Sequence, residues 1–156
     1  MSAKINYISI ALCLALAPIY ASNVIAHPHH GGVNHHSISS TRAVTQVKII
    51  TTDSALMTIS TEVAAGAVEF IVSNQGKAPH EMVVLKLTQP IDKLPMKGNR
   101  LDEKKSGTKI GEIESSELAS GATHKLMTKL TPGQYLLVSN VPGDYLAGMK
   151  VLLTVK

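Results

Sequence analysis

The chain has 156 residues, enough for one domain and little besides. Its 15 basic and 11 acidic side chains give a net charge of +4 with no basic block, and aromatics make up 3% of it. That combination argues against a nucleic-acid surface built on phosphate contacts and base stacking.

The N-terminus opens with Lys4, an apolar run from Ile5 to about Ala17, then Pro18 and small residues. Basic start, short apolar core and small-residue end are the order of a secretory signal peptide. The run falls short of the roughly 20 residues that a spanning helix needs. Cleavage fits after Ala21 or after Ala26, and the second, preferred here, makes 1–26 the signal and leaves 27–156. The mature protein is therefore expected in the periplasm or secreted, without a membrane segment. Cys13, the only cysteine, leaves with the signal. Disulfides, thiolate ligands and cysteine nucleophiles are excluded from what remains.

Residues 27–43, HPHHGGVNHHSISSTRA, are polar, glycine-bearing and free of apolar period, and read as a flexible arm. Five of the seven histidines fall here: His27, His29, His30, His35 and His36. Imidazole binds Cu(II), Zn and Ni, so a short His-rich tract reads as metal-binding, with copper first and zinc as the alternative. With cleavage after Ala26, His27 adds its free amine. Pro28 carries no amide N–H, which disfavours a clamp of deprotonated backbone amides.

From residue 44 to 156 the sequence changes to short runs of Val, Ile, Thr and Leu between turn residues. The expected strands are 45–52, 56–62, 67–74, 81–88, 122–130, 134–139 and 149–155. Val68, Phe70 and Val72 alternate with Glu69, Ile71 and Ser73, the period of half-buried antiparallel strands. Residues 89–119 break any period with Pro90, Pro95, Gly98, Gly107 and Gly111, and read as a long crossover with a short helix near 102–105. The expectation is an all-β, Greek-key β-sandwich with one long crossover.

Two separated segments, AVEFIVSNQGKAPHE (67–81) and PGQYLLVSNVPGDYLAGMKVLLTV (132–155), resemble the cupredoxins, the blue-copper family, and its small exported bacterial members in particular. The likeness runs over about 45–156, including the KLP and GEIE segments of the crossover. The family places one His ligand after a G-x-V-x-F-x-V-x-N-x-G strand and turn, and three more ligands in a C-x-x-P-G-H-x-x-x-x-M loop. Carried over by position, the resemblance implies His80 as the first ligand and Met149 as the axial one. Ser139 stands at the thiolate position and Asp144 at the second imidazole position. The thiolate defines a blue-copper centre, and a serine hydroxyl is a poor ligand for Cu(I). The remaining donors offer Cu(II) a nitrogen and a carboxylate, or serve structure alone: His80 as a strand-end histidine, Met149 as core, Asp144 as a turn residue.

The reading is an exported copper-binding protein that handles metal rather than carrying electrons, with a metal ion and a periplasmic redox or copper-handling protein as partners. An electron carrier with a modified site and a metal-free interaction module are the alternatives. No base–nucleophile pair or open metal triad is visible, so an enzyme is not expected.

Overall fold

The computed structural model describes residues 43–156. The signal segment and the arm residues up to 42, with His27, His29, His30, His35 and His36, lie outside the described residues. In chain order the elements are β1 (Thr45–Thr52), β2 (Ala55–Met57), β3 (Glu62–Val63), β4 (Gly66–Asn74), β5 (Met82–Leu87), β6 (Met96–Lys97), β7 (Arg100–Leu101), α1 (Glu103–Ser106), β8 (Gly107–Ile113), β9 (Thr123–Leu130), β10 (Gly133–Val138), α2 (Asp144–Ala147) and β11 (Lys150–Val155). A 3-10 turn covers Ile91–Lys93. No helix among the described residues is long and apolar enough to cross a membrane.

Two sheets form a sandwich. One has the order β2-β1-β4-β9 and the other β3-β11-β10-β5-β8, and β6 with β7 forms a separate ribbon. Alternation along β1 and β4 sends Val47, Ile49, Val68, Phe70 and Val72 inward against Met82, Val84, Tyr135, Leu137 and Leu153 of the facing sheet. The sheets are mixed rather than antiparallel throughout. β1 runs parallel to β4 and β11 parallel to β3, because the chain passes between the sheets before returning. The expected strand 56–62 is two short strands, one in each sheet. Between them the Thr58 hydroxyl accepts from the Ser60 N–H at 3.1 Å, a local bond that competes with a sheet ladder, and Ile59 is left exposed.

The crossover is more structured than a loop. The short helix is present as α1, capped by Asp102, whose side chain accepts from the Lys105 N–H. After it comes a full strand, β8, at the edge of the five-stranded sheet, antiparallel to β5. Its glycines read as breakers because their other role is invisible in sequence. A Cβ on Gly107 would lie 2.1 Å from the Lys86 carbonyl oxygen, so only glycine lets the two backbones pair there. The earlier part of the crossover covers the outer face of that sheet. Leu94 and Leu101 pack with Val83, Leu85, Leu136, Val138 and Tyr145 into a second apolar cluster. β5 and β10 are thus buried on both faces, which explains their unbroken MVVL and YLLV runs.

Candidate functional site

At one end of the sandwich the β4–β5 and β10–β11 connections meet. His80 follows β4 and a turn through Asn74 and Gly76; Ser139 follows β10; Asp144 opens α2. The turn before His80 is pinned from two sides. The Asn74 side chain accepts from the Gly76 N–H at 2.8 Å and donates to the carbonyls of Ala78 at 2.8 Å and Leu118 at 2.9 Å. Asp53, between β1 and β2, accepts from the N–H groups of Lys77 at 2.7 Å and Ala78 at 3.0 Å. The Ala78 and Lys77 amides hold the Asp53 carboxyl below its usual range, with His80 adding to the effect.

The second loop is fixed by its glycines. Gly143 and Gly148 both have φ of 97°, a left-handed conformation that favours glycine, and they bracket the single turn of α2. The Pro142–Gly143 turn expected from the sequence therefore leads into a helical turn, with Asp144 as its first residue. Met149 donates its N–H to the Asp144 carbonyl at 3.0 Å and accepts from the Ser139 N–H at 3.0 Å. Its side chain is fully buried in the main core, and β11 begins one residue later than expected.

The loops bring His80, Ser139 and Asp144 into direct contact. His80 Nδ1 lies 2.8 Å from Asp144 Oδ2, and the Ser139 hydroxyl donates to the same oxygen at 2.5 Å. A carboxylate accepts, so Nδ1 carries a proton. His80 and Ser139 are buried. Among the described residues His80 Nε2 has no hydrogen-bond partner, and it lies 3.6 Å from Asp53 Oδ1. The hydroxyl points to the carboxylate rather than to the imidazole, so the serine–histidine pairing of an activated serine nucleophile is not made.

Two residues that sequence reasoning passed over brace this trio. The Glu81 N–H donates to Ser139 Oγ at 3.3 Å, and its carboxylate accepts from the Asn140 N–H at 2.9 Å. Burial pushes the Glu81 carboxyl above its usual range, while the Asn140 amide pulls the other way. The buried Asn140 side chain accepts from the Leu101 N–H at 2.7 Å and donates to the Leu101 carbonyl at 3.1 Å and to Glu103 at 2.7 Å. Their adjacency to His80 and Ser139 is the one sequence signal that could have marked them.

No family model matches the chain. No curated protein matches it either. Among solved structures, reduced auracyanin from Roseiflexus castenholzii is 20% identical and superposes with a TM-score of 0.50, over 72% of this chain and 97% of auracyanin. Reduced rusticyanin is 17% identical with a TM-score of 0.53, over 72% of this chain and 79% of its own. Rusticyanin from Thiobacillus ferrooxidans gives 15% and 0.53, over 72% and 77%. Both are cupredoxins.

The fold is cupredoxin-like.

In a cupredoxin-like corner the four positions at issue are His80, Ser139, Asp144 and Met149, and the test is whether they fit copper. The donor set does not fit a blue-copper ion, because it has no thiolate. Bonds of about 2 Å to a first-row metal also spread its ligand atoms roughly 3 Å or more apart. Here Asp144 Oδ2 lies 2.8 Å from His80 Nδ1 and 2.5 Å from Ser139 Oγ, as partners bonded to it. Among the described residues no group of three or more His, Cys, Asp or Glu side chains is placed to hold a metal ion.

Proposed function

We propose that the chain is an exported cupredoxin-like protein that binds copper through the histidines of residues 27–36 and does not carry electrons through a blue-copper centre. The observation that carries this reading is the closed corner: Asp144 Oδ2 already takes both His80 Nδ1 and the Ser139 hydroxyl. The imidazole chemistry left in the sequence is concentrated in His27, His29, His30, His35 and His36. The choice of copper is supported by the likeness to rusticyanin, a copper protein. The role fits binding and transfer of a metal ion, with a redox or copper-handling protein of the periplasm as recipient.

A copper titration of the protein from residue 27 onward, with metal analysis and visible absorption, tests it. Uptake should fall when 27–36 are deleted, and no intense thiolate-to-copper band should appear. Unchanged stoichiometry after the deletion would remove the arm from the reading. The second reading, a metal-free interaction module on the same scaffold, is favoured by the lack of a ligand cluster among the described residues. It requires that neither form take up copper.

A further inference from the structure

We propose that the Asp144 carboxylate stands in the place of the metal, so that Ser139, Asp144 and His80 form a hydrogen-bonded clasp that closes the cupredoxin-like corner without any ion. One oxygen, Asp144 Oδ2, gathers a donor from its own loop, Ser139 at 2.5 Å, and one from the β4–β5 loop, His80 at 2.8 Å. A central acceptor with converging donors does the tying that a central cation does with converging lone pairs. Both bonds reach a charged acceptor, which makes them stronger than bonds between neutral groups.

Burial sharpens the case. Ser139 is fully buried and His80 is 2% exposed, so donors left unpaired there would not be rescued by water. An ion entering the corner would have to displace both bonds, and the set it then met would contain no thiolate. The surroundings oppose that opening. Glu81 holds Ser139 and Asn140 on one side, while Asn74 and Asp53 pin the turn that carries His80 on the other. The clasp makes the fold of the domain independent of copper. A chain that takes up and gives away metal elsewhere then keeps the same folded domain in both states. The inference concerns residues 43–156 and stands whether or not 27–36 bind copper.

The test uses the full mature-length chain with His27, His29, His30, His35 and His36 replaced by glutamine, so that any remaining response to Cu(II) comes from the domain. Added Cu(II) should leave the thermal midpoint and the NMR signals of the His80 ring unchanged. In chelator, a slowly exchanging Nδ1–H signal of His80 should be visible, and Asp144→Ala should remove it. Ser139→Ala should lower the metal-free midpoint by several degrees and Asp144→Asn by more. If Asp144→Asn does not fold, Ser139→Ala, which removes one of the two bonds, carries the comparison. A Cu(II)-dependent rise in midpoint, or broadening of the His80 ring signals, would overturn the clasp, as would a Ser139→Ala midpoint equal to that of the unsubstituted chain. Failure of the arm as a copper site appears instead in the uptake measurement, which is made on the chain that keeps all five of those histidines.

Discussion

At the scale of single residues, the corner turns on side chains of similar size but different chemistry. Ser139 and Asp144 are hydrogen-bonding groups where the cupredoxin resemblance implies a thiolate and an imidazole. The turn around them carries Pro142, Gly143 and Gly148, with Met149 buried beside it. Ser139→Cys with Asp144→His removes the hydroxyl donor and the Oδ2 acceptor of the clasp, leaves His80, and supplies both missing ligand types. That double variant should bind Cu(II) with an intense visible band, and absorption spectroscopy checks it. A colourless copper complex would mean that the loop has also diverged in backbone shape. Glu81 supports a second prediction. Its folded carboxyl is raised above the ordinary 4.5, mainly by burial. A raised acid binds its proton more tightly in the folded state, so its contribution to stability is lost as pH climbs from 4.5 through the folded value. Glu81→Gln keeps an oxygen for the Asn140 N–H and removes the charge. The variant should therefore gain stability relative to the parent as pH rises above 4.5 and show little difference below it, as read from urea midpoints across pH.

At the scale of elements, most strands were legible because alternation and turn residues mark them. β1, β4, β9 and β11 lie within a residue or two of their expected bounds. β8 was not legible, because the same glycine that breaks a pattern also permits close backbone pairing. The distinction lies in a neighbour, Lys86, that no local reading supplies. Gly107→Ala would force that contact apart, and overpacking of this kind costs about 1–3 kcal/mol. Chemical denaturation should show a loss in that range, while the His80 corner keeps its NMR signals. The candidate site was half legible for a similar reason. His80, Ser139 and Asp144 were placed by their positions in two motifs, and the structure joins them. Asp53, Glu81 and Asn140 act through hydrogen bonds across long sequence separations, such as the separation of 39 positions from Leu101 to Asn140. Asn140→Ala would leave the buried N–H and C=O of Leu101 without partners, at roughly 1–3 kcal/mol for each group. Because Asn140 ties the crossover to the loop of the corner, that variant should also increase hydrogen exchange across β6, β7 and α1.

At the scale of the whole molecule, the reading divides the labour between a folded domain and a histidine-rich segment of different chemistry. The corner of the domain supplies one carboxylate with a hydroxyl and an imidazole already bonded to it. Residues 27–36 supply five imidazoles. The two donor types respond differently to pH, so the pH dependence of copper uptake tells them apart. A metal binds the unprotonated ligand, and a free imidazole is half protonated near 6.5, whereas carboxylates stay ionised to about 4. Copper held by the arm should therefore be released as pH falls below about 6, with protons taken up by several imidazoles at once, which steepens the transition. Pro28 strengthens the expectation, since a clamp of deprotonated backbone amides would need an N–H that proline lacks. Copper content after equilibrium dialysis across this range is the measurement. Release centred near 6 and abolished by deleting 27–36 supports the division of labour. Retention down to about 4 would instead identify carboxylate ligands. Asp53 and Asp144 would then be the residues to substitute next, and the copper would belong to the domain after all.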